Sequence, residues 1–136
     1  MNNPNPNLIP CSTAVGLMKG DGLYLSKRLN TKTFSGLWQF AGGKLEDNEL
    51  PIYGAIREVE EETGLKIDYS RLEYKVGIVG DPTTKVCYVY VVELEQNEIP
   101  KKMEELATEW QWFTFDEALK LPLLPGIKEL LTQLKK

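Results

Sequence analysis

Apolar and polar positions along this chain fall into two rhythms, and the change between them lays out the fold. Cys11 to Met18 is small, apolar and β-branched, which predicts a buried strand. Gly20-Asp21-Gly22 marks a turn, and Leu23-Tyr24-Leu25 continues as the second arm of a hairpin. Asn30 to Gly36 reads as a loop, and Trp38-Gln39-Phe40 as a short strand ending at Ala41-Gly42-Gly43. The rhythm then becomes helical. Pro51 stands at a favoured first-turn position, Ile52, Ala55, Ile56 and Val59 recur on one face, and Gly64 supplies the stop after Thr63. Leu72 to Val79 and Val86 to Leu94 are strands around a turn at Gly80-Asp81-Pro82. The second of these is almost wholly apolar or aromatic, which suits a central strand. After a charged loop from Glu95 to Glu105 come a strand at Trp110–Phe113, a short helix at Asp116–Leu121 and an amphipathic helix at Ile127–Leu134. This order predicts an α+β domain with a mixed sheet between helices.

Composition narrows the chemistry more than the fold. The 136 residues suffice for one domain with a core, expected over 11–136, behind an irregular Asn- and Pro-rich lead-in at 1–10. That lead-in has neither a basic start nor an apolar centre, so a secretion signal is not expected; the chain is expected to be cytoplasmic. A net charge of −4 with no basic run argues against long nucleic acid as a partner, and no apolar run is long enough for a membrane span. Cys11 and Cys87 lack metal-site spacing and are expected to be thiols. The chain contains no histidine, which excludes histidine catalysis and histidine ligation. Acid–base or metal chemistry must use carboxylates, Lys, Tyr or Cys.

Carboxylates are where the sequence is unusual. Glu58, Glu60, Glu61 and Glu62 crowd the end of the first predicted helix around Arg57. Like charges three or four residues apart on a helix repel. Helical spacing puts Glu58, Glu61 and Glu62 on one face, opposite the apolar stripe, with Glu60 elsewhere and in no role. Three such carboxylates suit a hard cation, Mg²⁺ or Mn²⁺, which would relieve the repulsion. Glutamate-rich helix faces are also common as plain solvated surface, and taken alone that is the better reading. Gly42-Gly43-Lys44 before the helix is equally a turn or a phosphate contact. Arg57 has Glu49 within reach, as an ordinary surface ion pair or as a tie from loop to helix.

Spacing decides between these readings. Gly43, then five residues to Glu49, then seven to Arg57-Glu58-Val59-Glu60-Glu61-Glu62-Thr63-Gly64-Leu65 resembles the Nudix box at every defined position. The flanks extend the likeness: Arg28 before the box, Trp38-Gln39-Phe40 leading into it, and Glu109-Trp110-Gln111-Trp112-Phe113 followed by a Leu-Pro turn. Ala41 departs from the family, most members having Pro there.

The resemblance implies an α/β/α sandwich with the box in a loop–helix–loop, and a hydrolase that cleaves nucleoside diphosphates linked to another group. Carried over, Glu58, Glu61 and Glu62 with the Gly42 carbonyl would hold Mg²⁺, with Mn²⁺ as substitute. Glu58 or Glu62 would orient or deprotonate the attacking water. Glu49 with Arg57 would hold the loop in shape, and Arg28 and Lys44 would contact substrate phosphates. Glu104, six residues before Trp110, is a candidate further ligand, with Glu98, Glu105 and Glu109 as rivals.

The length is most similar to MutT-like members, which convert (deoxy)nucleoside triphosphates to monophosphate and pyrophosphate. Members that read oxidised guanine use Asn or Asp near the final helix; here the segment Lys120 to Gly126 has neither and Asp116 is the only such carboxylate nearby, which argues against an oxidised-guanine specialist. Phe34, Trp38, Tyr88 and Tyr90 are each base-stacking candidates or core. Pro82 keeps an ADP-ribose or other nucleoside-diphosphate reading open as the alternative. Non-catalytic nucleotide-binding members typically lose box glutamates, which this chain retains.

Overall fold

The computed structural model describes residues 11–29, 34–78, 86–103 and 108–134. Strands β1 (Cys11–Lys19) and β2 (Gly22–Arg28) form the expected hairpin, but they stay paired only near its turn, through Leu17–Tyr24, Met18–Leu23 and Lys19–Gly22. Beyond that they part, and the chain segment that follows fills the opening. Strand β3 (Trp38–Gln39) pairs with β2, the chain breaks step at Phe40, and β4 (Ala41–Lys44) pairs with β1. The expected single strand ending at the two glycines is therefore two short strands, with Gly42 and Gly43 inside the second. The cause is the divergence of the hairpin: one straight strand cannot follow two partners that separate.

The rest of the sheet is built outward from this split pair. Strand β6 (Val86–Glu93) runs parallel to β1 from Cys11–Val86 to Met18–Glu93, and pairs on its other edge with antiparallel β5 (Glu73–Ile78). It is the central strand its apolar sequence predicts. Leu72 stands just outside β5, after a short 3₁₀ turn at Tyr69–Arg71; Val79 and the Gly80-Asp81-Pro82 turn lie outside the described residues. Strand β7 (Thr108–Thr114) covers the free edge of β2. The sheet is mixed, as expected.

Helices cover both faces because residues alternate across the strands. Helix α1 (Pro51–Thr63) packs Ala55 and Val59 against Val15, Leu17, Tyr24, Tyr90 and Val92. On the other face, Leu23, Leu25, Trp38, Phe40 and Val89 meet α2 (Phe115–Leu119) and α3 (Ile127–Leu134) through Ala118, Ile127, Leu130 and Leu131. Each fully buried Leu contributes about 1.5–3 kcal/mol. The second helix starts one residue early, where Thr114 and Glu117 form a capping box around its start, and it ends two residues early, with Lys120 as its C-cap.

Trp38 and Tyr90 belong to these cores, each about 7% exposed, and so do not present a face to a base. The loop after β6 is pinned: Arg71 grips both oxygens of Glu98 at 2.7 and 2.8 Å, and Lys19 Nζ donates to the Glu98 carbonyl at 2.8 Å. Both cysteines are half-buried thiols. Among the described residues no helix is long and apolar enough to cross a membrane.

Candidate metal and phosphate site on the first helix

The site begins with how α1 is started and stopped. Leu50 precedes the helix without a side-chain cap, and Pro51 has no N–H to leave unsatisfied. Gly64, at φ 78°, closes the other end by donating to the Glu60 carbonyl. Between them, Gly54 lets the preceding loop lie on the helix: a Cβ there would stand 2.3 Å from Leu45 Cδ2. A mid-helix glycine costs about 1 kcal/mol relative to Ala, so its presence demands such a packing reason. That is the signal by which Gly54 is legible, although the box spacing leaves its position undefined.

Arg57 organises the surrounding carboxylates. Its Nε donates to Glu49 Oε2 at 2.8 Å and its Nη2 to Glu49 Oε1 at 2.9 Å. Nη2 also donates to the Lys44 carbonyl at 3.2 Å, joining helix, loop and the end of β4. This bond to Arg57 holds the Glu49 carboxyl below its ordinary range, and Glu49 in turn pushes the guanidinium pKa up. The tie expected between Glu49 and Arg57 is thus present, and it is bidentate.

The metal candidates sit on either side of that arginine. Glu58, with its side chain 12% exposed, packs on Gly43 so closely that a Cβ at 43 would stand 2.3 Å from Oε2. It faces β4 rather than pointing away from the sheet, which corrects the simple helical-wheel placement. Glu62 Oε1 accepts the Gly42 N–H at 3.2 Å, so it is the amide of Gly42 that engages the helix. Glu61 is more open, with its side chain 46% exposed. Glu58 Oε2 and Glu61 Oε1 lie within 3.5 and 3.0 Å of the same atom, Arg57 Nη1. A guanidinium therefore bridges two of the three carboxylates, where helical spacing alone predicts convergence.

Among the described residues no three carboxylates stand close enough together to hold a metal ion in this arrangement. In donor chemistry they fit one: all are oxygen ligands within one turn, and Gly43 leaves room on the β4 side for Glu58. Arg28, at the end of β2, directs Nη1 to Gln39 Oε1 at 3.2 Å on the neighbouring strand. Gln39 was not singled out by the sequence, because its partner is supplied by strand pairing. Lys44 ends β4 with an exposed position. Glu104 and its rival Glu105 lie outside the described residues. Of the other rivals, Glu98 is committed to Arg71, and Glu109 lies exposed on β7.

A three-layer sandwich whose first helix presents acidic residues to a glycine pair on a split β-hairpin defines an α+β protein with a carboxylate site in a loop–helix–loop. A family model, the NUDIX domain, matches residues 10–134. The chain belongs to the Nudix family, and its relatives make it MutT-like. It is 30% identical over 113 residues to a MutT-like protein of Streptomyces ambofaciens, covering 83% of this chain and 69% of that one. It is 39% identical over 49 residues to an 8-oxo-dGTP diphosphatase of Proteus vulgaris, covering 36% of this chain and 44% of the relative. The chain thus matches less than half the length of that diphosphatase. In fold, it resembles the MutT NUDIX hydrolase of Burkholderia pseudomallei with a TM-score of 0.77 at 23% identity, covering 91% of this chain and 96% of the other.

Proposed function

We propose that this protein is a metal-dependent Nudix pyrophosphohydrolase that converts (deoxy)nucleoside triphosphates to nucleoside monophosphate and pyrophosphate in the cytoplasmic nucleotide pool. The observation that carries the reading is the placement of Glu58 and Glu62 against Gly43 and Gly42, beside an Arg57 fixed by Glu49.

Glu58, Glu61 and Glu62 would hold the divalent cation, Mg²⁺ or Mn²⁺. When bound, it supplies charge that stabilises the phosphates and acidifies a coordinated water. The chain's own part is positioning. Glu49 fixes Arg57, Arg57 fixes loop and β4 against α1, and Gly43 leaves room for the Glu58 carboxylate. Glu58 or Glu62 takes the proton of the attacking water. That water forms a bond to phosphorus, the bridging P–O bond breaks, and the departing phosphate oxygen carries the electron pair away. Arg28, at the end of β2, and Lys44, at the end of β4, would contact phosphate oxygens.

The test is a substrate panel with Mg²⁺, covering ordinary and oxidised dNTPs, ribonucleotides, ADP-ribose, nucleotide sugars and dinucleoside polyphosphates, with the products identified. Monophosphate plus pyrophosphate from a triphosphate supports the proposal. AMP plus ribose phosphate from ADP-ribose, with triphosphates untouched, replaces it with the ADP-ribose reading. No metal-dependent release from any member of the panel removes the enzymatic reading.

A further inference from the structure

Helix α1 ends where its chemistry is concentrated. Glu61 and Glu62 stand in the last turn of its 13 residues, and the last few carbonyls of a helix have no partner within it. Helix ends fray for that reason, whereas a ligand set works only when its carboxylates are held to within about 0.5 Å. The end of α1 therefore needs support from outside the helix.

That support comes from beyond β6. Gly64 donates to the Glu60 carbonyl, the Met103 N–H to the Glu62 carbonyl at 3.1 Å, and the Lys101 N–H to the Thr63 carbonyl at 2.9 Å. Residues 101–103 thus form a strap across the helix end. The Met103 sulfur lies over Gly64, where a Cβ would approach it to 3.1 Å. Thr63, about 1% exposed, is locked from within as well, its Oγ1 donating to the Val59 carbonyl. Glu62 is held at both ends: its carboxylate accepts the Gly42 N–H at 3.2 Å, and its carbonyl accepts that of Met103. The last turn is wedged between β4 and the strap.

The strap is itself anchored. Pro100, immediately before it, is buried, and Glu98 has both carboxylate oxygens on Arg71 and its carbonyl on Lys19. Met103 is 55% exposed, so core packing does not account for its place on the helix end.

We propose that Met103 is a positioning residue for the carboxylate site: with Lys101 it holds the last turn of α1 and so keeps Glu61 and Glu62 where a divalent cation needs them. This rests on the metal-dependent reading above. Because binding couplings are reciprocal, a cation held by those carboxylates must also hold the strap closed.

The exposed pair Lys101-Lys102 gives the strap its own probe, since trypsin cuts there when the strap leaves the helix. Mn²⁺ should slow wild-type cleavage after these lysines about fivefold or more, beyond any slowing after Lys75 on β5. Three variants, each shown to be folded by circular dichroism, are then titrated with Mn²⁺ by calorimetry and assayed on a triphosphate. Met103→Pro removes the N–H, and should weaken Mn²⁺ binding and lower kcat about tenfold each while KM changes little. Met103→Ala keeps the N–H but uncovers Gly64, and should move both in the same direction. Met103→Leu keeps the N–H and the apolar cover, and should restore wild-type values. A role in stability alone would lower the melting temperature and leave Mn²⁺ affinity and kcat untouched. That outcome in folded Met103→Pro and Met103→Ala overturns the proposal, as does tryptic cleavage of the wild-type strap that Mn²⁺ does not slow. Should the variants fail to fold, cleavage of the wild type decides. If strap and Mn²⁺ binding respond as described but no triphosphate is hydrolysed, the hydrolase reading fails and the positioning role stands. Metal-dependent hydrolysis that is unmoved in the variants removes the positioning role and leaves the hydrolase reading.

Discussion

Arg57 and Glu49 meet fork to fork, Nε on Oε2 at 2.8 Å and Nη2 on Oε1 at 2.9 Å, across the joint between loop and helix. Glu49 Oε1 also accepts the Glu46 N–H at 3.0 Å, so one carboxylate fixes both the turn before α1 and the arginine on it. A planar fork matters here because a point-charge ammonium cannot make both bonds at once. Glu49→Gln should lower kcat by about 10–100-fold through the disturbed carboxylates. It should cost about 1–3 kcal/mol of stability. Arg57→Lys should recover little of either. Steady-state kinetics with thermal melts check this, and a normal kcat in both variants would refute the positioning role.

Glu58, Glu61 and Glu62 should separate activity from folding. Glu61→Gln removes a charge from a half-open side chain, so stability should move by no more than about 0.5 kcal/mol. Turnover with Mg²⁺ should nevertheless fall about a hundredfold or more, as should Glu62→Gln. Isothermal titration with Mn²⁺ gives a second readout, since affinity should fall with activity. A Glu62→Gln protein that binds Mn²⁺ as tightly as the wild type would dismiss the ligand assignment.

Gly43→Ala tests the cradle directly. The added methyl would meet Glu58 Oε2 at 2.3 Å, and the end of a glutamate chain can swing away at small cost. Stability should therefore change little, while the displaced carboxylate should lower turnover about tenfold or more. Unchanged kinetics would mean that the position of Glu58 on β4 has no part in the chemistry.

The Arg71–Glu98 pair sets a pH dependence away from the site. Its hydrogen bonds from Arg71 hold the Glu98 carboxyl down at about 2, against an ordinary 4.5. A group with a depressed folded-state pKa stabilises fully above its unfolded value and loses that contribution as pH falls through the folded one. Stability should therefore decline from about pH 4.5 toward pH 2. In Arg71→Ala that part of the slope should shrink, as seen by urea unfolding across the range. An identical slope in wild type and variant would detach Glu98 from acid stability.

What the sequence disclosed and what it withheld divide along the range of the forces involved. The bounds of α1 and the Glu49–Arg57 tie are local matters of a proline, a glycine and a spacing of eight, and they are readable in one pass. The split of β3 from β4 depends on where β1 and β2 part, which no local pattern encodes. Trp38 and Tyr90 read as stacking candidates until the sheet buries them in opposite cores. That Met103 is laid against the end of α1 depends on a segment beyond β6, which no local pattern encodes. The bridging of Glu58 and Glu61 by Arg57 is a choice of side-chain rotamers, set by the loop packed over them.

The bond from the Gly42 amide to Glu62 has a use beyond holding the site together. That proton is sheltered from solvent by a carboxylate proposed as a metal ligand, not by another strand. Each time Glu62 turns toward a cation or a water, the amide opens to exchange while the ladder around it stays closed. The deuterium uptake of a single backbone position can therefore serve as a built-in gauge of how often the carboxylate leaves its resting place.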